Sequence, residues 1–283
     1  MVTIKNSFLT VKIAKLGAEI KSIQKNGIEN IWYGIPEIWS GTAPILFPVC
    51  GGLKDNKFIF EGKEYTLGKH GYAKDTLFEV ESLSDTSVTF LHKSNEATRV
   101  SYPFDYEFRA IFSLCDSALK VEYRVTNLSG KTMYFNVGAH EAYYTPEGIE
   151  DYDLIFDEEE TLETTMLYSC FVTKFTTPLL KESKVFPLYE KHFILDTLIF
   201  QNCLKSRGVT LRNRVTGRAI RVDFPDCDNL MLWHAPASPY ICIEPWNGIP
   251  DVVGSSYALE EKEGITSLED KKTYSNTHTI TIY

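Results

Sequence analysis

Ala118-Leu119-Lys120-Val121-Glu122-Tyr123-Arg124-Val125-Thr126-Asn127 alternates apolar and polar side chains without a break. On an extended chain Leu119, Val121, Tyr123 and Val125 share one face, while Lys120, Glu122 and Arg124 share the other. A helix would scatter the same apolar residues around its axis, so the pattern predicts a strand with one face in a core. Residues 8–14, 87–92 and 106–114 read the same way. Residues 58–60 and 63–65 flank Glu61-Gly62 as a hairpin with a glycine-containing turn, and Asn127-Leu128-Ser129-Gly130-Lys131 separates the opening strand from another at 133–137. Helical signal is confined to short pieces such as Pro36-Glu37-Ile38-Trp39. Many strands joined by polar turns, with no alternating helices, predict an all-β fold with few short helices, a sandwich or barrel rather than a parallel α/β sheet. No repeat, low-complexity stretch or linker interrupts the chain, so 1–283 reads as a single domain. The run Asp157-Glu158-Glu159-Glu160 reads as a solvated loop.

At 283 residues the chain is long enough to bury a core without disulfides or a structural metal. The 38 acidic against 29 basic residues leave a formal charge of −9, which repels a phosphate backbone and argues against a nucleic-acid partner. No stretch has the apolar run of a membrane helix and the first residues lack a signal-peptide pattern, so the expected location is cytoplasmic. Cys50, Cys115, Cys170, Cys203, Cys227 and Cys242 are scattered, without a C-x-x-C pair, and read as reduced, mostly buried thiols.

Candidate chemistry centres on Tyr240-Ile241-Cys242-Ile243-Glu244-Pro245-Trp246-Asn247-Gly248. As a strand it turns Ile241 and Ile243 to one face and Tyr240, Cys242 and Glu244 to the other. A carboxylate in apolar surroundings needs partners or has a raised pKa, and a raised pKa suits a general base near neutrality. Trp246 beside it reads as an exposed ring able to receive a sugar. His70 lies between glycines in Leu67-Gly68-Lys69-His70-Gly71-Tyr72-Ala73, where backbone can approach a ligand closely. His140 follows a strand in Asn136-Val137-Gly138-Ala139-His140-Glu141-Ala142-Tyr143-Tyr144. Either imidazole is a candidate proton donor at neutral pH, although a histidine taken alone is more often a hydrogen-bonded structural residue than a catalyst. His140-Glu141 opens like H-E-x-x-H, but residue 144 is Tyr, and no other spacing reads as a metal site. His92 and His278 read as surface residues of alternating strands; His192 and His234 stay open. Gly51-Gly52-Leu53-Lys54-Asp55 lacks the context and ending of a phosphate loop, and no G-x-S-x-G elbow is present.

Taken in order, these segments resemble the aldose 1-epimerase (galactose mutarotase) family, and its bacterial LacX-like branch in particular, over essentially the whole length. The landmarks are Leu46-Phe47-Pro48-Val49-Cys50-Gly51, Lys69-His70-Gly71-Tyr72-Ala73, Asn136-Val137-Gly138-Ala139-His140, Leu195-Asp196-Thr197-Leu198-Ile199-Phe200, and Cys242-Ile243-Glu244-Pro245-Trp246-Asn247-Gly248. The resemblance implies a large antiparallel β-sandwich, the galactose mutarotase-like supersandwich, and the interconversion of α and β anomers of a free hexose without a cofactor. It implies Glu244 as the base that takes the C1 hydroxyl proton, His140 as the acid at the ring oxygen, His70 assisting there, and Asp196 holding substrate hydroxyls. The implied partner is a small-molecule sugar, the free aldose, bound by a monomer or homodimer.

One position departs from the pattern. The branch commonly has Gly-Arg-Leu-Lys where this chain has Gly51-Gly52-Leu53-Lys54, so Gly52 stands at the place of a sugar-contacting Arg. Lys54 is the candidate substitute, although a flexible ammonium does not reproduce a bidentate guanidinium. The loss makes a phosphorylated sugar less attractive and keeps two alternatives open, an idle sugar-binding or sensor protein on the same scaffold and a sugar-phosphate epimerase. Glycoside hydrolysis would cast Asp196 and Glu244 as the two carboxylates and leave the histidines without a role.

Overall fold

In the computed structural model, which describes residues 1–169 and 171–283, strands dominate from end to end. One layer is a nine-stranded antiparallel sheet. Its order is Phe171–Pro187, Tyr152–Tyr168, Gly208–Asn213, Ala219–Asp223, Thr273–Ile282, Ala118–Asn127, Tyr106–Cys115, Ser87–Lys93 and Glu79–Leu83. Ala118–Asn127 sits deep in this sheet, with Val121 opposite His278 on one side and Phe112 on the other. Leu119, Val121, Tyr123 and Val125 are buried, as their alternation predicts.

A four-stranded sheet in the order Glu141–Tyr144, Tyr240–Trp246, Asn229–Trp233 and Leu198–Gln201 faces it. Ile241, Ile243, Leu230 and Leu232 share one buried cluster with Val121, Tyr123 and Phe108, so the inner faces of the two sheets make a common core. Ile241 and Ile243 enter that core while Tyr240 and Cys242 join a different cluster with Trp32 and Ala142, which is the two-faced division expected of this strand. A second four-stranded sheet, Val2–Lys5, Leu9–Ile13, Ile20–Lys25 and Ile28–Glu29, adds its buried residues to the same core. The hairpin of Lys57–Phe60 and Lys63–Thr66 turns at Glu61 and Gly62, both at positive φ (49° and 75°). Two successive positive φ values define the turn whose twist matches antiparallel strands.

Helix is scarce. Glu96–Ser101 is a short α-helix whose start is fixed by a capping box, Asn95 accepting from the Ala97 and Thr98 amides while Thr98 accepts from the Asn95 amide. Pro36-Glu37-Ile38-Trp39 makes one turn, closed by the Trp39 N–H to the Ile35 carbonyl at 2.8 Å. No helix among the described residues is long and apolar enough to cross a membrane.

Three expectations are corrected. His92 and His278 are buried, not on the surface. His92 has the parity of Val88 and Phe90, and His278 that of Ile280 and Ile282, so strand alternation carries both imidazoles inward. The acidic run 157–160 is not a solvated loop: it lies within Tyr152–Tyr168, and Glu160 is buried, its carboxylate accepting from the Lys205 and Ser206 amides and the Ser206 hydroxyl. Backbone donors there replace water for the charge. Trp246 is only 4 % exposed, and its indole N–H donates to the Ala139 carbonyl at 2.9 Å, so it is a wall and not an open platform. Among the cysteines, Cys50, Cys227 and Cys242 are buried thiols and Cys115 and Cys203 exposed ones; Cys170 lies outside the described residues.

Candidate active site

Four chain segments meet where Tyr240–Trp246 ends. Residues 136–140 run along it, with the Ala139 amide donating to the Pro245 carbonyl and the Val137 amide to the Asn247 side chain. Gly138 bridges both Leu46 and Trp246. A Cβ there would stand 2.6 Å from Trp246 Cδ1 and 2.9 Å from Cys50 Sγ, so the glycine is what lets the backbone approach the indole. Phe47 pairs with Gly71, which brings the His70 turn to the same place. His70 itself is left-handed (φ 67°) and exchanges two hydrogen bonds with Gly51: its amide donates to the Gly51 carbonyl at 2.8 Å, and its Nδ1 accepts from the Gly51 amide at 3.1 Å. Because Nδ1 is the acceptor, neutral His70 carries its proton on Nε2.

The result is an open cavity of about 460 Å³ whose lining includes His70, His140, Asp196, Glu244 and Trp246. His140 Nε2 lies 3.3 Å from Glu244 Oε2, and the two imidazoles meet edge to face with centroids 5.6 Å apart. Trp39 stacks on the His140 ring at 5.3 Å, and Trp233 meets it edge-on at 6.0 Å. Glu244 Oε1 and His140 Nδ1 are buried without a hydrogen-bond partner. Asp196 stands at the rim at φ 100°, with Oδ1 accepting from the Thr197 amide and hydroxyl, which leaves Oδ2 to a ligand.

Burial pushes the Glu244 carboxyl well up; the positive charge of Lys69 pulls it back, while Glu141 and Asp196 add to the rise. Burial also drives His140 down to about 3, and holds His70 well below an ordinary imidazole, helped by His140, Lys69 and Lys74. Burial thus shifts two groups 3.3 Å apart in opposite senses, and both shifts disfavour charge at this spot. A carboxyl and an imidazole in hydrogen-bond reach of each other and of an open cavity can accept one proton from a ligand and return another.

Lys54 lies elsewhere. Its ammonium sits 4.4 Å from the Tyr257 ring centroid and its amide donates to Asp251, and it does not line the cavity. Gly52 does line it, without a guanidinium from any described residue; the cations present are Lys69 and Lys74. Trp39, Trp233, Lys69 and Thr197 were not singled out from sequence. Lys69 and Thr197 adjoin residues that were, so neighbourhood in the chain is a usable signal for them; the two tryptophans arrive by long-range folding and have none.

The chain belongs to the aldose 1-epimerase family, whose sequence profile matches residues 1–267. Among curated proteins it is 36% identical to the plasmid-borne Protein LacX of Lactococcus lactis subsp. lactis over 296 residues, covering 99% of each chain. Among solved structures it is similar to the galactose mutarotase related enzyme of Lactobacillus acidophilus (33% identity, TM-score 0.95, 100% of this chain and 97% of that one). It also superimposes on a galactose mutarotase-like protein of Lactobacillus casei (28% identity, TM-score 0.93, 100% of both chains). The fold is the galactose mutarotase-like one that the resemblance implies.

Proposed function

We propose that the protein is an aldose 1-epimerase acting on a free hexose, with Glu244 as the base and His140 as the acid. The observation that carries this reading is the convergence of Glu244, His140 and His70 on one open cavity. Glu244 takes the proton from the C1 hydroxyl as electrons collapse to the carbonyl and the bond from C1 to the ring oxygen breaks. His140 gives a proton to that oxygen, and His70, with its N–H on Nε2, donates a hydrogen bond to it. The open aldehyde rotates about C1–C2, and closure on its other face returns both protons. Removal and delivery must occur on the two sides of one hemiacetal, which hydrogen-bond reach permits only when base and acid are neighbours. Asp196 accepts from hydroxyls at the far edge of the sugar, and the faces of Trp39 and Trp233 suit its apolar side better than the recessed Trp246.

Polarimetry of freshly dissolved α-glucose and α-galactose tests the reading. Wild-type protein should hasten relaxation, and Glu244→Gln should lose about 10²–10⁴-fold of that enhancement. Relaxation at the buffer rate with wild type for every aldose tried would reject it, and sugar binding without acceleration would point instead to a sensor.

A further inference from the structure

We infer that His140, Cys242 and Glu244 form a binding site for a soft divalent cation such as Zn²⁺, and that its occupation shuts the cavity's acid–base pair off. This goes beyond the epimerase reading and rests on other atoms as well. Cys242 precedes Glu244 by two residues in one strand, so both side chains leave the same face. One donor atom from each of the three residues lies within 4.8 Å of the other two. The distance of 3.3 Å from His140 Nε2 to Glu244 Oε2 equals the edge of a tetrahedron, since zinc bonds of about 2.0–2.1 Å to nitrogen and oxygen subtend an edge of roughly 3.3 Å.

The donor set is selective. One thiolate, one imidazole and one carboxylate suit Zn²⁺ or Cd²⁺, whereas Mg²⁺ and Ca²⁺ want oxygen alone. Three protein ligands leave a fourth position, and the adjoining cavity can supply it with water or a sugar hydroxyl. Glu244 is 1 % exposed and its Oε2 faces His140 Nε2, so a cation between those two atoms would balance a carboxylate charge that burial otherwise makes costly. Binding is balanced by proton release: the Cys242 thiol gives up its proton as sulfur joins the metal, and any proton between Glu244 and His140 leaves with it. The metal would hold Glu244 Oε2 and His140 Nε2, the atoms that a proton transfer needs, so occupation and catalysis exclude each other.

The test uses chelator-treated full-length protein and needs no sugar, so its outcome is separate from that of the epimerase reading. Cd²⁺ should produce a thiolate-to-metal charge-transfer band that saturates at one ion per chain, with Zn²⁺ displacing it and Mg²⁺ leaving it unchanged. Cys242→Ser should abolish the band and weaken Zn²⁺ binding in calorimetry by roughly tenfold or more, while a variant with Cys115, Cys170 and Cys203 all changed to Ser should keep both. Should Cys242→Ser fail to fold, Glu244→Gln serves instead: it retains every thiol and should still weaken Zn²⁺ by a similar factor. Absence of the band in wild type, its survival in Cys242→Ser, or its loss in the triple variant would overturn the inference. Where mutarotation is measured, Zn²⁺ should suppress it reversibly.

Discussion

His140 Nε2 and Glu244 Oε2 stand 3.3 Å apart on the cavity floor, and burial shifts the two groups in opposite senses. The carboxyl is raised, so its ionisation weighs against the folded state. The sign follows from linkage: a group whose folded pKa lies above its unfolded value contributes stability below the unfolded value, and loses it as pH rises through the folded one. Glu244→Gln should therefore leave the protein at least as stable as wild type. Thermal unfolding of the two proteins without metal should agree in acid. The variant's advantage should then open as pH climbs above about 4.3, the unfolded glutamate value. A variant that is both inactive and less stable at neutral pH would mean that the charge is satisfied in the fold and that its proposed strain is absent.

Lys69 is the charge that pulls Glu244 back toward an ordinary value, ahead of a smaller contribution from Trp246. It lies at the cavity mouth with its side chain largely in solvent. In Lys69→Met the Glu244 carboxyl should rise further, and the acidic limb of kcat/KM should move to higher pH in chelator-treated enzyme. The shift should shrink in high salt, because an exposed charge is screened over about 10 Å at 0.1 M ionic strength. A profile that does not move, or one that moves equally in high salt, would remove Lys69 from this role.

Much of this arrangement is legible in the sequence. Period-two patterning specifies Ala118–Asn127 and its neighbours because a one-residue slip would turn every apolar side chain to water. The same parity separates Glu244 and Cys242 from Ile241 and Ile243. His92 and His278 carry the same signal, and their parity rather than their polarity decides their burial. What the chain does not display is pairing across distance. The buried contact of His278 Nε2 with Glu141 Oε1 at 2.9 Å joins residues 137 apart, and Trp39 reaches His140 from across the fold. Lys54 shows the converse: it is close in sequence to the cavity wall at Gly51 and Gly52, yet the turn at Lys54–Asn56 carries its ammonium to Tyr257.

Gly138 gives a packing test of the site. Its missing Cβ admits Trp246 and Cys50, both buried and neither a flexible chain end. Gly138→Ala should destabilise by about 1–3 kcal/mol, the usual cost of overpacking. It should also lower the mutarotation rate more than stability alone explains, because residues 136–140 carry His140. Equal activity per folded molecule would show that His140 is placed independently of this contact.

Another wall of the cavity rests on a buried ion pair. Lys262 Nζ lies 3.1 Å from Asp251 Oδ1 and donates to the Ile249 carbonyl at 2.7 Å, while Asp251 Oδ2 accepts from the Lys54 amide. These bonds fasten Pro250 beside Gly51, where both line the cavity. Lys262→Met leaves Asp251 as a buried unpaired carboxylate and should cost about 3–5 kcal/mol. Adding Asp251→Asn should recover part of that loss in denaturant unfolding. No recovery would mean that the lysine acts through the Ile249 carbonyl alone.

Glu19 fixes the opposite rim, between Trp39 and Pro44. Its Oε1 accepts from the Thr42 amide at 2.7 Å, the Thr42 hydroxyl at 2.6 Å and the Ala43 amide at 3.0 Å, and Lys21 pairs with Oε2. Burial alone would push this carboxyl up, but the hydrogen bonds from Lys21 and Thr42, the Lys21 charge and the Ala43 amide outweigh it and hold the group below the ordinary value. A depressed folded pKa contributes stability above the unfolded value and loses it as pH falls through the folded one. Glu19→Gln should therefore cost about 1.5–3 kcal/mol near neutrality, the range of hydrogen bonds to a charged group. The gap between variant and wild type should close on acidification below about 4.3. Because the bonds span the chain between two cavity-lining residues, the variant should raise KM for the sugar more than it lowers kcat. A gap that persists unchanged into acid would show that Glu19 stabilises by packing and not by its charge.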